Sequence, residues 1–492
     1  MYTFQSLENF IEGLPGILTF IYIINFFIAL GIIFLERKNS SATLAWIMIL
    51  YLIPGFGILL YLLFSQNLSK KKMFKLSVDE ERVFTNSLKK QLHAISNGSY
   101  DFTNKTAHKW QELIRLNQVY GKAYFTQDNK MEIIADGNDK MDRLIEDILN
   151  AKKIINIEYF IIKRDQVGKR LVDALAIKAR EGLTVRLLVD AMGSRRIDED
   201  WLFEFIAAGG KFATFFPPKF RILNIKFNYR NHRKLAIIDG KISYIGGFNI
   251  AKEYIGLKKK FGFWRDTHIR IEGGASQDIN GRFLLDWRFA AKDNDIDYTQ
   301  VFYPPKQQQG DVGIQIVSSG PDAPHEEIKR GFLRMITSAE ERIYIQTPYF
   351  VPDETILESL KMAAQSGVDV RIMIPCKPDH IFVYWATLSY VSEIIRAGGR
   401  VYIYEGGFLH AKTMTVDSSV ATVGSANFDR RSFKLNFEAN AFIYDKNETR
   451  KLEHLFEEDM KKCNELTWDI YQKRGTMIKI KEPIARLLSD IL

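Results

Sequence analysis

The sequence predicts an α/β protein made of two duplicated lobes, each a mixed sheet flanked by helices, preceded by a two-helix membrane hairpin. Three observations support this prediction: two uncharged runs near the N-terminus, a repeated order of strand-like and helix-like segments, and a polar motif that occurs once in each repeat. At 492 residues the chain has roughly three times the length of a typical domain. Two lobes and an additional segment therefore fit its length.

Composition excludes several classes of protein. Hydrophobic residues make up 46% and charged residues 26%, as in an ordinary folded protein, which argues against long disorder. The two cysteines, Cys376 and Cys463, are too few for a disulfide scaffold or a cysteine-rich metal site, and they fit a reducing compartment. The net charge of +9 favours an anionic partner, either nucleic acid or an acidic membrane surface.

Residues 1–65 have the pattern of a transmembrane hairpin. The runs 16–35 and 42–64 carry no charge, and about 20 residues of helix cross a hydrocarbon core of about 30 Å. Pro54, followed by a glycine, predicts a kink in the second helix rather than a break. A cleaved signal peptide is disfavoured because a second apolar run follows at once.

The basic residues around these two runs predict their orientation. The connecting loop, residues 36–41, has two basic residues, whereas the segment 70–75 has four lysines. Because positive charge concentrates on the cytoplasmic side, the rest of the chain is expected in the cytoplasm, attached to the cell membrane.

The remainder divides into a polar helical linker at 66–125, a first lobe at 126–305 and a second lobe at 306–492. The lobes repeat each other at offsets of 185 to 190 residues. IINIEYF, ending at Phe160, matches IYIQTPYF, ending at Phe350, and EGLTVRLLVD from Glu181 matches SGVDVRIMIP from Ser366. Strands that alternate with helices in this way predict two related sheets covered by helices, arranged about a pseudo-twofold axis.

Each lobe contains the pattern His-x-Lys-x-x-x-x-Asp, followed by a glycine and an asparagine at fixed spacing. The residues are His232, Lys234, Asp239, Gly246 and Asn249 in the first lobe, and His410, Lys412, Asp417, Gly424 and Asn427 in the second. Two such matches at equivalent places are not expected by chance. They predict two halves of one site.

Strand geometry separates the roles of these residues. The segments LAII and TMTV are apolar and rich in β-branched residues, so each motif is expected on a strand, where residues two apart share a face. His and Lys then point the same way, and Asp239 or Asp417 points to the other face, where a structural role is expected. Asp239 begins an Asp-Gly pair, a strong hairpin signal, and the returning strand should bring Asn249 or Asn427 toward the His and Lys.

Two imidazoles, two ammonium groups and two amides facing each other suit a phosphodiester substrate. One histidine can attack phosphorus to form a phosphohistidine while the other transfers protons, and the lysines stabilise the charge on the phosphoryl oxygens. No metal ion and no cofactor are needed for this chemistry. A zinc site is disfavoured because each histidine has a lysine two residues away on its own face.

A nucleophilic histidine needs an acceptor for its second ring nitrogen. Glu438 follows His410 by 28 residues, and Asp266 follows His232 by 34 residues, both within strand-like alternation. Equivalent placement makes an orienting role about as expected as that of an ordinary surface carboxylate.

Two further segments have open interpretations. The basic aromatic stretch 258–264 could lie at the membrane interface beside the active site or form a solvated loop. The C-terminal segment places Ile484, Leu487, Leu488 and Ile491 at helical spacing, and packing on the second lobe is favoured over membrane contact. The six histidines outside the motifs are expected in surface or packing roles.

The paired motifs resemble those of the phospholipase D superfamily. With the N-terminal hairpin, NHRKLAIIDGK, SSGPD from Ser318, QTPYFVPD from Gln346 and FLHAKTMTVD, the chain resembles bacterial cardiolipin synthases along nearly its whole length. The resemblance implies that two phosphatidylglycerol molecules are joined into cardiolipin with release of glycerol, at the cytoplasmic membrane. It also implies that the six His, Lys and Asp residues form the active site, with His232 as nucleophile and His410 as acid and base.

The residues alone leave the acceptor open, because water or another alcohol can also release a phosphohistidine. A membrane phospholipase D hydrolase and a transferase with another alcohol acceptor are therefore alternatives. A phosphodiesterase acting on nucleic acid would suit the basic charge, but the hairpin argues against it. A non-catalytic lipid-binding protein is disfavoured because binding alone does not require both motifs to be intact. The oligomeric state is not predicted.

Overall fold

The computed structural model describes residues 2–36, 40–64, 73–74, 78–217, 229–293, 309–323, 325–377 and 379–487. The basic flanks used to predict orientation, the boundary between the two predicted lobes, and Leu488 and Ile491 lie outside these residues. The chain divides into two compact units, which are considered separately. The described residues up to Phe64 form the first, and those from Met73 onward form the second.

The first unit is helical. Its elements are α1 (Tyr2–Gly31), which continues as a π-helical turn at Ile32–Glu36, α2 (Ser40–Leu52) and α3 (Phe56–Phe64). Helix α1 packs against α2, where the buried Asn25 amide donates to the Leu50 carbonyl at 2.6 Å and the rings of Tyr22 and Tyr51 stack. The polar side chain is thus satisfied inside the helix pair.

The second predicted membrane helix is interrupted rather than kinked. A turn separates α2 from α3, and Gly55 within it has a φ of 81°, which a continuous helix does not allow. The prediction of one kinked helix over 42–64 is therefore wrong. Within the described residues, no single helix combines the length and apolar character needed to cross a membrane.

The predicted linker is helical, but it is also part of a hydrophobic core. It forms α4 (Val78–Ser96), α5 (Lys105–Lys109) and α6 (Gln111–Gly121). Trp110, Leu113 and Ile114 are buried against apolar side chains of the second lobe, and the Trp110 indole donates to Ser419 at 2.9 Å. The polar composition reflects the exposed face of these helices, so the expectation of a simple linker is corrected.

The two lobes follow the predicted alternation of strands and helices. The first contains β1 (Phe125–Ile134), α7 (Gly137–Asn150), β2 (Ile154–Tyr159), α8 (Gln166–Arg180), β3 (Thr184–Asp190), α9 (Phe203–Ala207), β4 (Lys211–Phe215), β5 (Arg230–Asn231), β6 (Lys234–Ile238), β7 (Ile242–Gly246), a 3-10 turn (Lys252–Ile255), β8 (Trp264–Arg265), β9 (His268–Glu272) and α10 (Ala275–Ala291).

The second lobe repeats most of this order. It contains β10 (Val312–Ser319), α11 (Glu327–Thr337), β11 (Arg342–Gln346), β12 (Phe350–Val351), α12 (Glu354–Gln365), β13 (Asp369–Pro375), α13 (Ile381–Arg396), β14 (Arg400–Tyr404), β15 (Phe408–Leu409), β16 (Thr413–Val416), β17 (Val420–Gly424), β18 (Phe428–Asp429), α14 (Arg430–Lys434), β19 (Asn436–Tyr444), α15 (Lys446–Met460), β20 (Cys463–Glu465), α16 (Trp468–Gln472) and α17 (Thr476–Leu487).

The main strands form one continuous mixed sheet. From one edge its order is β4-β3-β2-β6-β7-β9-β1 in the first lobe and β10-β19-β17-β16-β11-β13-β14 in the second, with β20 at the far edge. Each strand of the first series has its counterpart at the mirrored place in the second, as duplication predicts. The expectation of two separate sheets is wrong, because β1 and β10 pair antiparallel and join them.

The hairpins predicted at the two motifs are confirmed. Strand β6 pairs antiparallel with β7, and β16 pairs antiparallel with β17. The two turn residues have positive φ in both lobes: 54° and 65° at Asp239 and Gly240, and 51° and 49° at Asp417 and Ser418. Three residues separate the paired Ile238 and Ile242, and three separate Val416 and Val420, so both turns are tight.

Apolar side chains on both faces of the sheet form the cores. Helices α7 and α8 cover β2 and β3 in the first lobe, and α11, α12 and α13 cover the equivalent strands in the second. The C-terminal helix α17 packs on α13 as expected, but through Ala485, whereas Ile484 is 53% exposed. Among the residues of the predicted apolar face, Ile484 has a described side chain, and it is mostly exposed.

Candidate active site

Two short parallel strand pairs bring the motifs together. Strand β5 pairs with the start of β19, so Asn231 lies beside Phe437 and the next residue, His232, donates its backbone N–H to the Phe437 carbonyl at 2.9 Å. Strand β15 pairs with β8 in the same way, and His410 donates its backbone N–H to the Arg265 carbonyl at 2.7 Å. Each histidine is thereby held next to a strand of the opposite lobe.

The residue that follows in that opposite strand is a carboxylate. His232 Nδ1 lies 3.0 Å from both oxygens of Glu438, and His410 Nδ1 lies 2.6 Å from Asp266 Oδ2. Each of the two predicted acceptors therefore lies against a motif histidine. Counting along the chain from the histidine of the same lobe assigned them to the wrong partners, because the strand pairs exchange them between the lobes.

Both carboxylates are fully buried and ionised. Burial alone would raise the pKa of Glu438, but His232, Lys234 and a hydrogen bond from Ser425 lower it overall. Ser432 also donates to Glu438, at 3.0 Å. Asp266 behaves likewise: burial would raise its pKa, and Lys412 and His410 lower it overall. Each histidine therefore faces a fixed negative charge.

The two imidazoles are neutral at pH 7. Burial lowers the pKa of His232, although Glu438 acts in the opposite direction. Burial, together with the charge of Lys412, lowers the pKa of His410 to about 4. A neutral ring that donates Nδ1–H to a carboxylate presents an unprotonated Nε2, which is the form needed for nucleophilic attack.

The two motif lysines are buried beside their histidines. Lys234 Nζ donates to the His232 carbonyl at 2.5 Å, and Lys412 Nζ lies 2.8 Å from His410 Nδ1. Burial lowers the pKa of Lys234 to about 7 and that of Lys412 to about 8. The charge of Lys412 contributes to the lowered pKa of both Lys234 and His232, so the two halves act on one another electrostatically.

The motif aspartates bind backbone. Asp239 accepts from the N–H groups of Lys152, Lys153 and Ile154, at 2.8, 2.7 and 3.0 Å. Asp417 accepts in the same way from residues 340, 341 and 342, at 2.9, 2.8 and 2.9 Å. Each carboxylate thus ties its hairpin to the start of the neighbouring strand, the structural position that strand geometry predicted.

The asparagines are buried near the site but differ between lobes. Asn249 accepts from the Ile161 N–H at 3.1 Å and donates to the Tyr254 hydroxyl at 3.1 Å. The Tyr254 ring in turn lies 6.4 Å from the His410 ring, centroid to centroid. The side-chain oxygen of Asn427 has no hydrogen-bond partner within the described part of the chain. A direct contact of either asparagine with its own histidine is not seen.

Comparison with known proteins decides the family. The family described as cardiolipin synthase, PLD-like domain, matches residues 144–264 and 332–460, and a second family, phospholipase D-nuclease N-terminal, matches residues 23–66. The major cardiolipin synthase ClsA of Bacillus subtilis (strain 168) is 47% identical over 97% of this chain and 99% of its own length. The cardiolipin synthase of Listeria welshimeri is 48% identical over the same shares of the two chains.

The chain belongs to the cardiolipin synthase family. Its class of reaction, phosphatidyl transfer by an enzyme of the phospholipase D type, is thereby confirmed. Among solved structures, the phosphatidylserine synthase of Haemophilus influenzae aligns with a TM-score of 0.59 at 15% identity, over 77% of this chain and 97% of that one. That likeness confirms the duplicated α/β fold.

Sequence reasoning missed the aromatic wall of this cardiolipin synthase family site. The Phe160 ring lies 4.9 Å from the His232 ring, and the Trp264 ring lies 5.1 Å from the His410 ring. Phe261 and Phe408 pack on Trp264. The wall helps to bury the two imidazoles, and burial is the largest cause of their lowered pKa values, to which the charge of Lys412 adds. The stretch 258–264 is therefore neither wholly solvated nor wholly interfacial, because its aromatic residues Phe261 and Trp264 are buried.

Sequence reasoning also did not predict that Arg233, the residue after His232, is buried. Arg233 donates to the backbone carbonyls of Glu438 and Ser319 at 3.2 Å each, and to Asp286 at 2.7 Å. It holds the strand that carries Glu438 against the first lobe. Its position between the motif histidine and lysine predicts only that its side chain points to the opposite face of the strand. A charged residue is not expected to be buried there.

Proposed function

We propose that the protein transfers a phosphatidyl group from one phosphatidylglycerol to the hydroxyl of another, giving cardiolipin and glycerol through a covalent phosphatidyl-histidine. One observation carries the proposal: two neutral imidazoles, each held through Nδ1 by a buried carboxylate of the opposite lobe, have a buried lysine beside them. This is the equipment for a two-step exchange at phosphorus.

In the first step, His232 Nε2 attacks the phosphorus of the first lipid. The new N–P bond forms as the P–O bond to glycerol breaks, and His410 gives the departing oxygen a proton. His410 must be protonated to do this. The anionic phosphodiester supplies the reason, because a negative charge close to the ring raises its pKa from the value of about 4 that burial and Lys412 give it.

In the second step, His410 takes a proton from the headgroup hydroxyl of a second phosphatidylglycerol. The hydroxyl oxygen attacks phosphorus, the N–P bond breaks, and His232 is regenerated as cardiolipin leaves. The overall exchange is reversible because the bonds formed and broken are of the same kind. Glu438 stabilises the positive charge that develops on His232, and Asp266 does the same for His410.

Lys234 and Lys412 stabilise the phosphoryl oxygens in both steps, as preorganised positive charges in a site screened from water. Asp239 and Asp417 complete the six motif residues by fixing the strands on which the histidines and lysines stand. Asn249 and Asn427, both buried near the site, are assigned an orienting role, in which an amide N–H donates to the substrate. No metal ion or cofactor takes part in this scheme.

The membrane arrangement is also a proposal. The segment 1–65 anchors the protein in the cell membrane, with lobes 126–305 and 306–492 on the cytoplasmic side. The uncharged runs 16–35 and 42–64 support this arrangement. The match of residues 23–66 to the phospholipase D-nuclease N-terminal family also supports it. Anionic lipid, rather than nucleic acid, is then the partner that the net charge of +9 serves.

The decisive experiment supplies purified full-length protein with phosphatidylglycerol alone and identifies the products by mass spectrometry. Cardiolipin and glycerol in equal amounts support the proposal. Phosphatidic acid and glycerol would indicate a hydrolase. The phosphatidyl ester of an added alcohol, formed in place of cardiolipin, would indicate a transferase with a different acceptor. A chelator should leave the rate unchanged, because the lysines carry the role of a metal ion.

A further inference from the structure

The loop that carries the aromatic wall has a second, outward-facing surface. Leu257 and Phe263 are 52% and 40% exposed, while Phe261, between them, is buried against Trp264 and Phe408. Lys258 and Lys260 lie with their ammonium groups over the Phe261 ring, at 5.1 and 5.2 Å. The loop thus presents apolar side chains and lysines together on its exterior.

A second apolar pair lies at the start of helix α13, in the other lobe. Ile381 and Phe382 are 51% and 49% exposed. The connection to the loop is short: the Phe408 N–H donates to the Phe263 carbonyl at 2.8 Å, and the Cys376 thiol contacts the carbonyl of the preceding residue, Gly407, at 4.0 Å. Cys376 stands five residues before Ile381.

Both exposed pairs flank His410. Trp264, which follows Phe263 directly, has its ring 5.1 Å from the His410 ring. Asp379, two residues before Ile381, lies close enough to raise the pKa of His410 and of Lys412 against the larger effect of burial. Phe263 and Ile381 thus lie within two residues, along the chain, of a residue that contacts His410 or acts on its charge.

We propose that Leu257, Phe263, Ile381 and Phe382 insert into the surface of an anionic bilayer, with Lys258, Lys259 and Lys260 on the lipid phosphates. The inference rests on the proposed function, in which both substrates are anionic lipids. Charge complementarity selects this occupant: exposed apolar side chains interspersed with consecutive lysines suit the boundary between headgroups and acyl chains. Binding to a protein partner or to a second copy of the chain would not require consecutive lysines beside the exposed apolar side chains.

This contact gives a route for substrate. A lipid headgroup can move from the bilayer surface to His410, between the loop and α13, while its acyl chains stay in the membrane. Only the headgroup must then be desolvated. Lysines near an anionic surface each favour contact by roughly fivefold. The three lysines therefore hold the entrance of the active site at the bilayer surface. This local contact adds to any membrane anchor elsewhere in the chain.

The first test compares full-length variants on two forms of the same substrate. The variants are Phe263→Ser with Leu257→Ser, and the triple change of Lys258, Lys259 and Lys260 to Ala; Phe203→Ser, at a 71% exposed position on α9, is the matched control. On vesicles of 30% phosphatidylglycerol in phosphatidylcholine, we expect an apparent KM at least about tenfold higher for each of the two test variants. On monomeric short-chain phosphatidylglycerol, we expect wild-type kinetics. Equal losses on both forms, or no loss on vesicles, would overturn the proposal.

The second test asks what touches the loop, independently of turnover. A photoreactive benzoylphenylalanine replaces Phe263, or Phe203 as the control, in protein reconstituted into nanodiscs of the same lipids. Lipid adducts at 263 and none at 203 support the proposal. Adducts to a second copy of the chain, or no lipid adduct at 263, contradict it. If the wild-type protein makes no cardiolipin but position 263 still labels lipid, the proposed function fails while the membrane contact stands.

Discussion

His232 and Glu438 stand 206 residues apart in the chain, yet the imidazole Nδ1 lies 3.0 Å from both carboxylate oxygens. The reciprocal pair, His410 and Asp266, joins the lobes a second time. Each lobe therefore supplies the histidine of one half-site and the carboxylate of the other. Neither lobe can form a complete half-site by itself, which gives a physical reason for both copies to be kept in one chain.

The carboxylate of Glu438 is expected to be essential for the rate rather than for folding. In Glu438→Gln the hydrogen bond to His232 can persist, but the charge that stabilises the phosphorylated ring is lost, so kcat should fall by about 10²- to 10⁴-fold. The measurement is the rate of cardiolipin formation by mass spectrometry, with the surface change Glu458→Gln as control. A loss smaller than tenfold would remove Glu438 from the mechanism.

The pH profile of kcat/KM should be limited on the alkaline side by lysine. In the empty site the pKa of Lys234 is about 7 and that of Lys412 about 8, so the ammonium charges disappear as the pH rises through this range and kcat/KM should fall. On the acid side, His232 stays neutral to below pH 6.5 because burial lowers its pKa. Bound substrate stabilises the ammonium groups, so the alkaline limb of kcat should lie at higher pH than that of kcat/KM. A kcat/KM that stays level to pH 9 would contradict this assignment.

Burying the lysines should cost stability. Because the pKa of Lys234 falls from 10.5 in the unfolded chain to about 7 in the fold, the unfolded state binds more protons between these values, and stability should rise with pH across that window. Lys234→Met removes the buried charge, so it should abolish turnover while raising the free energy of unfolding at pH 7 by about 1 to 3 kcal/mol.

Thermal unfolding in detergent at pH 7 and pH 9 measures both effects. The difference between the two pH values should shrink in the Met variant. Lys412→Met is the matched variant, and its gain should be smaller because its pKa is lowered only to about 8. A variant less stable than the wild type at pH 7 would show that the lysine stabilises the fold.

The local parts of this structure were predictable and the long-range parts were not. The hairpin at Asp239 follows from an Asp-Gly pair between β-branched runs, and the repeat follows from matching segments, because both signals lie within short stretches of sequence. The exchange of Glu438 and Asp266 depends on which strand edges meet, and no spacing along one chain records that. The joining of the sheets by β1 and β10 has the same origin.

The motif aspartates should act through the fold. Asp239→Asn keeps one acceptor oxygen but loses the charge and at least one of three backbone hydrogen bonds, so the free energy of unfolding should fall by about 2 kcal/mol. At a temperature where the variant is folded, its kcat should remain within about tenfold of the wild type, in contrast to His232→Ala, which should show no turnover. Circular dichroism and the cardiolipin assay separate the two effects. A stable but inactive Asp239→Asn protein would place the carboxylate in the chemistry.

The last prediction concerns one difference between the two lobes, at Gly247 and Ser425. Gly247 and Ser425 stand at equivalent positions, but a side chain at 247 would place its Cβ 1.9 Å from Asp266 Oδ1, whereas the Ser425 hydroxyl donates to Glu438. Gly247→Ser should therefore displace Asp266 from His410 and lower kcat by at least about tenfold, and Gly247→Ala should do the same because the cause is steric. Ser425→Gly removes a hydroxyl that donates to Glu438 and accepts from the Ala439 N–H, but the carboxylate keeps other partners, so a loss of about threefold to tenfold is expected. The same rate assay, run on all three variants, checks the order. Near-normal activity of Gly247→Ser would show that the site tolerates movement of Asp266. A larger loss in Ser425→Gly than in Gly247→Ser would show that the two carboxylates are held differently from the way their contacts indicate.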